Sequence, residues 1–189
     1  MSQIDRPPSP VRWMLRLEGL SGLDDAVAAI EPTIRKTFAS GVRGQVLRGD
    51  WIGHALHPAM ANFVLGSWTS ATFLDVIGDQ GSRRAAQQLV GAGLLAVGPT
   101  AWSGWAQWAE AGPRGQRVGL VHAVANGLAI GFYTASYLLR RRGSGAAGAR
   151  LGFAGVAAAG VAAYLGGHLS TARKVGTRHP AFVNTGDVD

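Results

Sequence analysis

The chain has 189 residues, enough for one domain; 47% are hydrophobic, only 15% are charged, and the net charge is +7. It contains no cysteine, which excludes disulfides, thiolate metal sites, cysteine-held iron–sulfur clusters and thiol catalysis. The positive balance does not read as a nucleic-acid footprint, because the arginines sit in short clusters beside apolar runs, as in Arg140-Arg141-Arg142, the pattern of charge flanking a membrane span.

In chain order, residues 1–10 carry three prolines and read as disordered. Leu23, Val27, Ile30, Ile34 and Phe38 then recur at helical spacing, with Asp24, Asp25, Glu31, Arg35 and Lys36 mostly off that line. This predicts an amphipathic helical segment lying on a membrane surface or against a bundle, broken into two pieces at Pro32. Residues 1–50 are thus a disordered start and an interfacial segment. They hold no apolar core followed by a small-residue cleavage site, so the expected membrane anchor is the first true span.

Four long, apolar, nearly uncharged stretches follow, at about residues 58–77, 86–108, 118–139 and 151–170. At about 1.5 Å of rise per residue each is long enough to cross the hydrocarbon layer. A soluble bundle would need a polar stripe on each outer helix, which the last two stretches lack. The links at 78–85, 109–117 and 140–150 are short and force neighbours antiparallel. The predicted fold is therefore all-α: a polytopic membrane protein whose domain, residues 51–171, is an up-down four-helix transmembrane bundle, with a polar tail at 172–189. Gly127 and Gly131 form a small-xxx-small pair suited to close helix packing, and Pro99 should bend the second span. The expected location is the bacterial inner membrane; the total of basic residues favours both termini in the cytoplasm, although Arg140-Arg141-Arg142 argues the other way.

Five histidines punctuate this scheme. His54 and His57 lie just before the first span, His122 begins the third, His168 nears the end of the fourth, and His179 is in the tail. An antiparallel bundle brings the first four to one end, within reach of His179. Asn126 is one turn from His122 and Tyr164 one turn from His168. Neutral imidazole is a good ligand for iron, zinc and copper, and bundles hold cofactors between facing helices. Three sites are open: a planar haem between His57 and His122 on diagonal helices, a pairing of His122 with His168, and a four-histidine metal site of His54, His57, His122 and His168. The plainer reading is a set of interfacial histidines, with the His54–Pro58 turn capping a helix. Asp75, at the opposite end near Arg83, Arg84 and Arg140, reads as one half of an ion pair, with a proton or ion relay as the sharper reading.

Several segments resemble a known family. Gly53-His54-Ala55-Leu56-His57-Pro58 is similar to a Gly-His-Pro-Leu-His-Pro signature, with Ala55 in place of its first proline. Gly66-Ser67-Trp68-Thr69-Ser70 with Asp75, Val118-Gly119-Leu120-Val121-His122-Ala123 with Asn126, and Tyr164-Leu165-Gly166-Gly167-His168-Leu169 resemble three further pieces. The family is an uncharacterised bacterial membrane domain, domain-of-unknown-function family number 2231, and the resemblance covers roughly residues 25–183. Val64 replaces a proline usual there, and Gln107 stands where relatives tend to have an acid. The resemblance implies a four-span domain. Relatives fused to Rieske-type iron–sulfur domains imply electron transfer, with a Rieske-type or other redox partner expected here as a separate protein.

The leading expectation is a redox-linked membrane subunit that is no enzyme by itself. It would bind haem b through His122 with His57 or His168, and pass electrons between a donor such as quinol and a soluble partner. The alternatives are a non-catalytic scaffold or assembly subunit and a small transporter, which with four spans would need a homo-oligomer.

Overall fold

The structure is a computed structural model that describes residues 7–79 and 81–176. The tail beyond residue 176, including His179, lies outside the described residues. Among the described residues the fold is all helical, without a strand. Three helices form an N-terminal layer: α1 (Ser9–Glu18), α2 (Asp24–Ile34) and α3 (Gly41–Arg48). Four longer ones form a bundle: α4 (Leu56–Ile77), α5 (Ser82–Trp108), α6 (Pro113–Arg141) and α7 (Gly145–Gly167). Each bundle helix contains or nearly contains one of the four apolar stretches, and the last is completed by a π-helical turn over His168–Ala172.

Of the start expected to be disordered, residues 1–6 lie outside the described residues; α1 begins at Ser9, with Pro10 in its first turn, where its missing N–H is no loss. The N-terminal layer departs from expectation at the proline further on. Pro32 does not break α2. The helix runs through it and widens into a π-helical turn over Arg35–Ala39, and the break comes at Ser40, which is extended, before Gly41 at a φ of +60°. Val27 is buried and Leu23, Ile30, Ile34 and Phe38 are partly buried, while Asp24, Asp25 and Lys36 are exposed. The apolar line therefore faces the bundle. α3 ends at Gly49, whose φ of +83° and close approach to the His54 carbonyl suit only glycine, and the chain turns there towards α4.

Among the described residues, only α6 and the continuous Gly145–Ala172 segment are both long and apolar enough to cross a membrane by length and composition. α4 and α5 have the length, at 22 and 27 residues. Asn62, the Ser and Thr between 67 and 72 and Asp75 make α4 more polar, and Arg83, Arg84, Gln87 and Gln88 do the same for α5. α5 continues through Pro99 as one helix.

In the bundle α4 packs on α5 and α7, and α6 on α5 and α7, so α4 and α6 stand diagonally across the core. The two hairpins, α4–α5 and α6–α7, repeat one another. Trp68 of α4 stacks on Tyr133 of α6 with ring centres 4.1 Å apart. About two turns further on, Asp75 pairs with Arg140, and towards the other end His57 faces His122. The partners of each couple are 65 positions apart, so each joins equivalent residues of the two hairpins. The second helices match too. Trp68 lies over Gly93 and Tyr133 over Gly155, each too close to admit a Cβ. The small residues that bring the helices together are these, with Gly119 under Trp108 and Gly148 against Arg140. A Cβ on Gly127 or Gly131 would meet no other atom within 4 Å, so that pair faces away from the fold rather than into it.

Candidate functional site

His57 and His122 meet on the diagonal of the bundle. Their ring centres are 6.4 Å apart and their planes nearly perpendicular, at 81°. Each ring is fixed in the same manner. His57 Nδ1–H donates to the carbonyl of Thr100 at 2.9 Å, and His122 Nδ1–H donates to that of Ala162 at 2.8 Å. Four residues on from each carbonyl is a glycine, Gly104 or Gly166, where an added Cβ would come within 2.8 or 2.9 Å of the imidazole Cε1. The missing side chain is what lets each ring lie against its neighbouring helix. Because a carbonyl can only accept, the bond fixes the tautomer and leaves Nε2 with the lone pair. Orienting a ligating imidazole through its other nitrogen is the usual arrangement behind a metal. Asn126 bonds this nitrogen on His122: Nδ2 donates to His122 Nε2 at 3.0 Å.

The remaining predicted site residues lie elsewhere. His168 is turned to the N-terminal layer, with Nε2 2.6 Å from Glu18 Oε1. Tyr164 is 53% exposed. His54 is exposed and lines a cavity of about 490 Å³ with Arg48, Asp50, Gln107 and Glu110. The structure thus joins His57, His122 and Asn126 and does not assemble the four-histidine set or the pairing of His122 with His168. Helix direction brings all four imidazoles to one end, but their side chains leave on different faces. Among the described residues no group of three or more His, Asp or Glu is placed to hold a metal ion.

The sequence reading missed Glu18. It is 2% exposed and receives hydrogen bonds from both Arg173 and His168. Burial by itself would raise its carboxyl; those hydrogen bonds, with the Arg173 charge, outweigh burial and hold it below the ordinary glutamate value. Arg117, at the start of α6, grips the same region, donating to both Asp24 oxygens at 2.7 and 2.8 Å and to the Glu18 carbonyl at 2.7 Å. Arg35 reaches Glu31, Glu110 and the carbonyl of Ala109, and Ser103 donates to the Leu47 carbonyl. The N-terminal layer is strapped over the histidine end of the bundle by these bonds. No local signal marks Glu18, since its partners lie at the other end of the chain. The His57–His122 couple did carry one: the same spacing separates His57, Trp68 and Asp75 as separates His122, Tyr133 and Arg140.

At the far end Asp75 and Arg140 form a buried bidentate pair, with Arg140 Nη1 and Nη2 at 2.8 and 2.5 Å from the two carboxylate oxygens and both side chains about 95% buried. Arg140 Nε also donates to Ser136 Oγ, which donates to the Gly148 carbonyl. This is the ion pair expected from the sequence, with Arg140 rather than Arg83 or Arg84 as partner.

Compared with family models, with curated proteins and with solved structures, the chain matches none of them.

Proposed function

We propose that the chain is a four-span subunit of the bacterial inner membrane, both termini cytoplasmic, that holds a b-type haem between His57 and His122 and serves one-electron transfer. The couple on the bundle diagonal carries this reading. The ring centres stand 6.4 Å apart, a separation at which both imidazoles could reach one metal ion, given metal–nitrogen bonds of about 2 Å. Both are oriented by backbone carbonyls, as ligating imidazoles are, and both remain partly exposed. A bound haem would supply the iron that takes up and gives back single electrons. The chain's own part is to present the two Nε2 atoms, to fix the rings through Thr100 and Ala162, and to turn the Asn126 amide away from His122 Nε2. The donor on this reading is a membrane quinol, and the acceptor a separate Rieske-type or other redox protein, in keeping with the resemblance of its histidine segments to domain-of-unknown-function family number 2231.

The outward faces support the membrane reading for all four bundle helices. Phe63, Phe73 and Ile77 on α4, Leu95 and Trp102 on α5, Val124 and Leu128 on α6, and Phe153 and Val161 on α7 are exposed. Inside lie Ser67, Ser103, Ser136 and the ion pair. Large apolar groups outside with small and polar groups inside is what a lipid solvent selects.

The test is the absorption spectrum of the protein purified in detergent after expression with ample haem. A Soret band is expected. His57→Ala and His122→Ala should each abolish its six-coordinate form, while His168→Ala and His54→Ala should leave it. No band in the native protein, or a band indifferent to both axial substitutions, rejects the proposal. A second reading, a scaffold without a cofactor, draws on His168, whose bond to Glu18 is structural. It predicts normal partner recovery after all four histidines are replaced by alanine.

A further inference from the structure

Where the N-terminal layer straps the bundle, the strapping arginines are tied to carboxylates: Arg35 to Glu31 and Glu110, Arg48 to Asp50, Arg117 to Asp24, and Arg173 to Glu18. At the α2–α3 corner two cations, Lys36 and Arg43, are left over. Among the described residues neither makes an ion pair. Both line one open cleft of about 540 Å³, shared with Pro32, Thr33 and Thr37. The widened turn of α2 sets Thr33, Lys36 and Thr37 on one wall, and the sharp corner at Ser40 and Gly41 brings Arg43, in the first turn of α3, to the other. Two unmatched positive charges and two hydroxyl donors around one cleft make a site for a phosphate oxygen cluster.

The surroundings select which phosphate. Beside Arg43 on α3, Val42 and Val46 lie one turn apart on the same outward face, 74% and 49% exposed. Just beyond α3, Trp51 and Ile52 are 68% and 43% exposed. Apolar and tryptophan side chains left uncovered next to basic ones are the two halves of an interfacial surface: one meets acyl chains and the other meets head groups.

We propose that this cleft binds the phosphodiester of an anionic glycerophospholipid, with Lys36 and Arg43 on the phosphate oxygens, Thr33 and Thr37 as hydrogen-bond donors, and Val42, Val46, Trp51 and Ile52 against the acyl chains. The site anchors the α2–α3 corner in the leaflet at the histidine end. It depends on the membrane location but not on a haem.

The full chain in a neutral detergent is titrated with dioleoyl phosphatidylglycerol, with dioleoyl phosphatidylcholine and with inorganic phosphate, and bound lipid is counted by native mass spectrometry. Phosphatidylglycerol should bind in preference to phosphatidylcholine, and a rise in salt should weaken it. Lys36→Gln with Arg43→Gln should reduce its affinity about thirty-fold, near the value of two basic side chains at an anionic surface. The same change at Arg12 and Arg16 should matter far less. Circular dichroism of the double variant checks that it is folded; if it is not, Lys36→Arg with Arg43→Lys must retain the binding. Equal binding of the two lipids, an unaffected double variant or salt-independent binding overturns the proposal. Inorganic phosphate displacing the lipid at equal concentration overturns the assignment to lipid. An unchanged Soret band in the double variant separates failure here from failure of the haem reading.

Discussion

Asp75 and Arg140 show what one residue can cost in this core. Taking two charges out of water is expensive, and the pair survives because both guanidinium nitrogens reach both carboxylate oxygens and Ser136 accepts from Nε. Asp75→Asn leaves the guanidinium buried without a countercharge. It should destabilise the bundle by about 3–5 kcal/mol, the usual cost of breaking a buried pair from one side. Asp75→Leu combined with Arg140→Leu should recover most of that loss, because the two hairpins then meet through apolar contact. Unfolding in a graded detergent series measures both, and a double variant as unstable as the single one would show that the pair does more than neutralise itself. The pairing was legible from the sequence: an acid within an apolar run needs a partner, and arginines flank it at the same depth. Which arginine was not legible, because that depends on α4 and α6 being diagonal equivalents in two repeated hairpins.

At the scale of the helix, glycine does two different things that sequence spacing does not tell apart. Gly127 and Gly131 look like a packing pair, yet they face open space, because a four-residue period says that two residues share a face and not which face. Gly104 and Gly166 share no such pattern, being on different helices, yet each sits against an imidazole. Alanine at Gly104 or Gly166 should push the ring out of its place, at about 1–3 kcal/mol for the overpacked contact, and lower the haem content of the purified protein. Alanine at Gly127 and Gly131 should change neither stability nor haem content in the monomer; if it does, those positions meet a second copy of the chain. Thermal unfolding followed at the Soret band reads both quantities at once. The apolar lengths of the helices were plain in the sequence. The duplication was hidden, because two of its three diagonal couples hold unlike residues, Trp68 with Tyr133 and Asp75 with Arg140.

Taken whole, the molecule is a duplicated bundle with a separate layer strapped over one end, and the strap is made of ions. Glu18 and Asp24 are its acidic half; Arg173 and Arg117 donate to them, and His168 Nε2 bonds Glu18 as well. Both carboxyls are held below their ordinary values. For Glu18 the hydrogen bonds and charge prevail over burial, and for Asp24 the leading cause is the hydrogen bond from Arg117. A carboxyl whose folded value lies below its unfolded one stabilises the fold above the unfolded value, and that contribution is lost as pH falls through the folded one. The layer should therefore stay docked at neutral pH and loosen as pH falls below the ordinary carboxylate range, before the bundle itself responds. Hydrogen exchange over α1 and α2 measures this, with α6 and α7 as the internal reference. Glu18→Gln should expose α1 at neutral pH, with exchange about ten-fold faster for the loss of one charged hydrogen-bonded contact, and should remove much of the acid response. The layer matters to the site because α1 and α2 lie on α6 and the α2–α3 corner lies on α5, over the end where His57 and His122 meet. An acid response in Glu18→Gln as steep as in the native chain would assign the docking to the apolar line of α2 instead, and Val27→Ala would then be the substitution that releases it.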